Sequence, residues 1–139
     1  QEISDCGVHP GIIAGIFGDK NNGAYSIILA EGYPDDEDNG YTFIYTGCGG
    51  RETGKRLGPQ VIDQSFENPR NLSLKMSTVT RNPVRVIRKA TPKSDWAPAE
   101  GFRYDGLYYV DDAWMETGAS GLMVCRYRLR VRALRIAPA

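Results

Sequence analysis

The 139 residues predict a mainly β domain, a small barrel or strongly bent sheet carrying one short helix. Three observations lead there. Sixteen Gly and eight Pro punctuate the chain densely. The stretches between them are short and rich in Tyr, Ile, Val and Thr, which suit a pleated, half-buried surface. Turn signals such as Asn22-Gly23, Asn39-Gly40 and Gly49-Gly50 bound most of these stretches.

Taken in order, strands are expected at Ile12 to Ile16, Tyr25 to Ala30, Tyr41 to Tyr45, Leu72 to Ser77, Val84 to Arg88, Arg103 to Val110 and Leu122 to Val131. A helix is expected from Gln60 to Glu67, where Val61, Ile62 and Phe66 recur at helical spacing, with Pro59 before them and Asn68-Pro69 closing the segment. Asp105-Gly106 is expected to close a tight turn. In the last strand Arg126, Arg128, Arg130 and Arg132 alternate with Tyr127, Leu129 and Val131, which puts the guanidiniums on one face. That face is either a phosphate-facing ribbon or a solvated outer surface whose charge protects the sheet.

Composition narrows the function classes. The length suits one domain spanning residues 1 to 139, and no apolar stretch approaches the roughly 20 residues needed to cross a bilayer, so no membrane partner is expected. A start at Gln1 and an end at Ala137-Pro138-Ala139 read as a piece of a longer protein. The three cysteines, Cys6, Cys48 and Cys125, are too widely spaced for a C-x-x-C metal or redox motif, and they suit a reducing compartment with Cys6 and Cys125 unpaired. His9 is the only histidine, so neither a zinc site nor a Ser-His or Cys-His nucleophile can be assembled. Net charge is zero, yet residues 1 to 50 carry eight acids and one base, whereas residues 51 to 139 carry sixteen bases and nine acids. Either the surface is dipolar or the two halves interleave and their charges mix.

The motifs are more specific. Gly7-Val8-His9, Ala14-Gly15-Ile16, Asn22-Gly23-Ala24-Tyr25-Ser26, Gly32-Tyr33 with Asp35-Asp36, and Tyr45-Thr46-Gly47 with Gly49-Gly50-Arg51 follow one another along the first third of the chain. Asp63-Gln64, Asn71-Leu72, Pro83 to Arg88, Ala97 to Gly101 and Tyr104-Asp105-Gly106 follow later. In order and spacing this resembles the SRA domain, also called YDG after the last triplet, over nearly the whole chain, although most of the segment that usually precedes Gly-Val-His is absent. The resemblance implies a PUA-like, strongly curved β-barrel with one short helix. It implies a nuclear, non-catalytic reader that uses no cofactor or metal. Its partner would be double-stranded DNA with hemi- or fully methylated cytosine, the modified base being flipped into a pocket.

The residues from Ala30 to Thr46 suit such a pocket. A base taken out of the duplex loses stacking and pairing of a few kcal/mol, so the protein must replace both. Tyr33 and Tyr45 can sandwich the ring, at roughly 1–3 kcal/mol for each contact. A carboxylate at Asp36 accepts from the exocyclic amine of cytosine and repels the oxygen that thymine carries there. Backbone N–H groups near Ala30, Glu31 and Thr46 can satisfy the remaining acceptors, with Gly32 and Gly47 allowing close approach. The resemblance sets Gly15 and Cys48 against the methyl group; the better-known members carry a small hydroxyl residue where this chain has Cys48. Burial of one methyl is worth about 0.8 kcal/mol, roughly fourfold in affinity, so modest discrimination is expected.

By position in the family, two loops enter the DNA, one carrying Ile13 as an apolar wedge or a core residue and the other carrying Lys55 and Arg56. The second loop is two residues shorter than in the ubiquitin-ligase members and lacks their Asn, so a reader indifferent to the second strand stands beside one that prefers hemimethylated CpG. Phosphate contacts are expected from Arg51, Arg126 and Arg128. Two other functions remain open on the sequence: the specificity module of a modification-dependent nuclease, and a PUA-like RNA- or protein-interaction barrel without base flipping.

Overall fold

The computed structural model describes residues 15–29, 37–38, 41–49, 61–89 and 101–132. Their strands are β1 (Gly15–Asp19), β2 (Gly23–Leu29), β3 (Glu37–Asp38), β4 (Thr42–Thr46), β5 (Val84–Lys89), β6 (Phe102–Thr117) and β7 (Met123–Val131), with one helix, α1 (Pro69–Thr80), between β4 and β5. The strands form one sheet in the order β1-β2-β5-β6-β7-β4-β3. All neighbouring pairs with a stated direction are antiparallel except β2 and β5, which run parallel. The expected β class holds. The expected barrel does not close among the described residues, where β1 and β3 are the two ends of the sheet.

Six of the seven expected strands appear among the described residues with other ends, β6 running seven residues past Val110, while Ile12 to Ala14 and Ala30 lie outside those residues. The seventh, Leu72 to Ser77, is wrong, and so is the helix at Gln60 to Glu67: the helix begins where that one was to stop. Asn68 is its N-cap, with Oδ1 accepting from the N–H of Arg70 at 2.9 Å and of Asn71 at 3.4 Å. Pro69 occupies the first turn, where its missing N–H costs nothing and its fixed φ helps. The helix buries Asn71, Ser73, Leu74 and Ser77, a face with one apolar residue, which hides it from a search for apolar periodicity. Its C-cap Arg81 adopts φ 59°, donates its N–H to Ser77 O at 3.1 Å, and reaches Val110 O with Nη1 at 2.8 Å.

Close packing fixes the helix on the sheet. Ser77 Oγ accepts from the N–H of Ala24 at 2.9 Å, and Gly23, at φ +94°, has no room for a side chain because a Cβ would lie 2.7 Å from that Oγ. Ile16, Ile27, Phe43, Leu74, Val84, Val86, Val110, Tyr127 and Leu129 are all at most 1% exposed and form the core. Asp105-Gly106 does not close a turn, because it lies inside the 16-residue β6 at an irregularity opposite Val86, with Gly106 at φ +100°. The Asp105 carboxylate bonds Arg88 at 2.5 Å, bracing β5 against β6, and Arg103 within β6 at 2.5 Å.

Strand order also resolves the charge asymmetry. The acid-rich half supplies β1 and β2 at one end of the sheet and β4 and β3 at the other, while the base-rich half supplies β5, β6 and β7 between them. The halves therefore interleave.

Candidate modified-base site

The site is assembled where β4 ends. Along β4, Phe43 and Tyr45 share the core face with Leu129 and Tyr127 of β7, while Ile44 and Thr46 lie on the other face with Arg128 and Arg126. Tyr45 is 6% exposed. Its ring lies 6.5 Å from that of Tyr127, and its hydroxyl is 3.4 Å from Ile28 O. Ile28 in turn pairs across the sheet with Gly15, a buried residue at φ 136° that opens β1. A run of contacts thus ties Gly15, through its partner Ile28, to the Tyr45 hydroxyl, two residues before the loop that opens at Gly47. Because Tyr45 and Thr46 face opposite ways, only main-chain atoms of Thr46 can serve a ligand on the Tyr45 side.

Beyond Thr46, the segment Gly47-Cys48-Gly49 is buried or nearly so. Gly47 N donates to Cys125 O at 2.7 Å. Cys48 N donates to Asn71 Oδ1 at 2.8 Å, and Cys48 O accepts from Asn71 Nδ2 at 2.9 Å. Gln64 Nε2 donates to Gly47 O at 2.9 Å and reaches Gly49 O at 3.4 Å. Gly47 is required sterically, since a Cβ there would sit 2.6 Å from Asn71 Oδ1. The expected thiol at Cys48 is corrected: its sulfur is disulfide-bonded, so it offers no S–H, while Cys125 is free as expected. Burial pushes the Cys125 thiol up to about 12, which suits an inert core residue rather than a nucleophile. Burial likewise raises the Tyr127 hydroxyl well above its ordinary value, keeping it protonated as it donates to Asn71 O at 2.8 Å.

The arginine row of β7, open on the sequence between a phosphate ribbon and a solvated outer face, is unevenly exposed. Arg126 is buried, with Nη1 3.3 Å from Glu116 Oε2. Arg128 is half exposed, 3.2 Å from Asp112 and 5.2 Å from the Trp114 ring. Arg130 pairs with Asp111 at 2.8 Å, holding that carboxyl below its usual range, with Arg81 a second guanidinium on the same group. Carboxylates of β6 facing β7 thus supply most of the counter-charge, which fits the solvated, paired surface better than a bare phosphate ribbon. Of the two phosphate candidates here, Arg128 is accessible and Arg126 is not.

Ala30, Glu31, Gly32, Tyr33, Asp36, Ile13, Arg51, Lys55 and Arg56 lie outside the described residues. Among the described residues no group of three or more His, Cys, Asp or Glu is arranged to hold a metal ion, and no helix is long and apolar enough to cross a membrane. Sequence reasoning missed the roles of Gln64 and Asn71, although both belong to the motifs that carried the family resemblance.

The family model described as SAD/SRA domain matches residues 1–133. A UHRF1-like protein of Cryptococcus neoformans var. grubii is 51% identical over 139 residues, covering 94% of this chain and 41% of that protein. The chain therefore spans about two fifths of that relative's length. Among solved structures, a modification-dependent TagI restriction endonuclease aligns with TM-score 0.79 at 38% identity, over 94% of this chain and 44% of that one. The SUVH5 SRA domain bound to fully hydroxymethylated CG DNA aligns with TM-score 0.69 at 36% identity, over 96% of this chain and 84% of that one. The same SUVH5 domain matches when bound to hemimethylated CG DNA.

Proposed function

This chain belongs to the SAD/SRA domain family, and on that premise we propose that it reads modified cytosine in double-stranded DNA by drawing the base out of the helix into a pocket at the end of β4. Hemi- and fully methylated sites, and hydroxymethylated ones, are its ligands. The observation that carries the reading is the run of contacts from Gly15 through Ile28 to the Tyr45 hydroxyl, with the Gly47-Cys48 main chain held just beyond, in a family whose solved member SUVH5 holds such DNA.

The chemistry divides among few groups. Tyr45 and Tyr33 replace the stacking that the base gives up, Asp36 takes the hydrogen bond of its exocyclic amine, and main-chain N–H groups at Ala30, Glu31 and Thr46 serve its other edge. Gly32 gives the main chain room to approach. Gly15 and Cys48 border the methyl group. Ile13, Lys55 and Arg56 occupy the gap in the duplex, and Arg51 and Arg128 meet phosphates. The domain itself catalyses no reaction and acts in the nucleus; any enzymatic step belongs to other modules of the parent protein. A second reading, in which the parent protein is a modification-dependent nuclease and this domain its specificity module, draws on the likeness to the modification-dependent TagI restriction endonuclease.

Asp36→Ala tests the pocket. In titrations with paired duplexes, the variant loses the preference for modified over plain cytosine but keeps weak binding through phosphate contacts. Unchanged selectivity removes the assignment of Asp36 and, with it, the proposed readout.

A further inference from the structure

We infer that Gln64 and Asn71, two amides outside the pocket, are positioning residues that hold its Gly47-Cys48 wall in the binding geometry before DNA arrives. The inference rests on the reading of the site given above. It goes beyond that reading by assigning a task to side chains that never touch the base.

Just past the end of β4 the wall keeps one main-chain bond to β7, Gly47 N to Cys125 O at 2.7 Å, and ordering the rest of such a wall on binding would subtract from affinity. Here two side chains take over where the ladder stops. Asn71 is fully buried and uses both ends of its amide: Oδ1 accepts from Cys48 N at 2.8 Å, while Nδ2 donates to Cys48 O at 2.9 Å and to Ser65 O at 3.0 Å. Gln64, 3% exposed, does the same: Oε1 accepts from Cys125 N at 2.9 Å while Nε2 donates to Gly47 O at 2.9 Å. Each amide has an orientation that a carboxylate cannot copy, because its NH2 faces acceptors, carbonyl oxygens and, for Asn71, also the Cys125 sulfur at 3.6 Å.

Both amides are anchored in turn. Gln64 N donates to Met123 O at 2.9 Å at the start of β7. Asn71 lies in the first turn of α1, and its carbonyl accepts the Tyr127 hydroxyl at 2.8 Å. Wall, helix start and β7 therefore form one hydrogen-bonded unit. A methyl group is told from bare carbon by fit, and displacement of a wall by well under an ångström changes that fit.

Gln64→Glu and Asn71→Asp keep shape and volume but turn an oxygen toward the carbonyls of Gly47 or Cys48 and Ser65. Dissociation constants are measured for matched duplexes with and without 5-methylcytosine, on variants that melt cooperatively. A general loosening weakens both duplexes alike, whereas loss of positioning drives the ratio of the two constants to unity. A folded variant that keeps the wild-type ratio overturns the inference.

Hydrogen exchange on the wild-type protein decides the matter even where a variant does not fold. The N–H groups of Cys48 and Cys125 are expected to be as protected in the free protein as those of β4 and β7, and unchanged by modified duplex. Fast exchange that slows only when DNA is added overturns preorganisation. Wild-type protein that ignores the modification sinks the functional reading instead, and leaves the exchange result to judge the clamp alone.

Discussion

Replacing Asp105 by Ala separates a buried brace from surface charge. The Arg88 and Asp105 side chains are 4% and 11% exposed and 2.5 Å apart, and the Arg88 guanidinium lies 5.7 Å from the Phe43 ring in the core. Removing the carboxylate deprives a buried cation of this counter-ion, a change that costs about 3–5 kcal/mol. For a domain of this length the unfolding entropy is about 0.3 kcal/mol/K, so the melting temperature should drop by about 10–17 °C. Asp112→Ala is the matched control. Asp112 and its partner Arg128 are 62% and 50% exposed. An exposed pair contributes about 0–1 kcal/mol, a shift of about 3 °C at most. Thermal and urea melts of the two variants and wild type make the comparison, with an unchanged urea slope confirming that the cooperative unit is the same. Equal losses in the two variants would refute the claim that burial, rather than pairing as such, sets the cost.

Asn68→Ala removes the cap of α1 and is expected to cost about 1 kcal/mol in urea denaturation, since the N–H groups of Arg70 and Asn71 lose their acceptor. A variant as stable as wild type contradicts the cap. Asp19→Asn probes acid stability. The Tyr25 hydroxyl first, and then the N–H of Asn22, hold the Asp19 carboxyl down from 3.8 to about 2. A depressed folded-state value gives stability that is present above 3.8 and lost as pH falls through about 2. Wild type should therefore exceed the variant in urea midpoint at neutral pH and converge with it at the acid end. A constant difference across that range rules out the linkage.

How much of this was legible in the sequence varies with the physics of each element. β2, β4, β5 and β7 were readable because β-branched and aromatic runs lie between turn signals. α1 was misplaced for two reasons. Asn68-Pro69 serves equally to end one segment and to start another, and the buried face is built from Asn71, Ser73 and Ser77, whose burial depends on distant partners such as the Ala24 amide and the Cys48 main chain. Asp105-Gly106 reads as a turn locally, yet the strand continues through it because β5 takes up the irregularity. The arginine alternation was correctly seen as period two, but the pairing with Asp111, Asp112 and Glu116 depends on β6 lying beside β7, which no local pattern states.

For the candidate site, the sequence offers expected direct contacts but no sign of their supports. Tyr45 and Thr46 stand out by residue type once a flipped pyrimidine is imagined between rings, whereas Gly15 enters only through the family resemblance. Gln64 and Asn71 act through main-chain bonds across 17 and 23 residues of sequence, and such contacts leave no periodicity to detect. The disulfide at Cys48 was missed for a related reason, because cysteine count and spacing say nothing of proximity in the fold.

The most direct test of the central claim is a fluorescence titration with duplexes that carry 2-aminopurine next to a 5-methylcytosine or next to an unmodified cytosine. Extrusion of the modified base unstacks its neighbour, so the emission should rise on saturation with this chain when the methyl group is present, and stay low when it is absent. Saturable binding to the methylated duplex with no rise in emission would mean that the base remains in the helix, and would contradict the account.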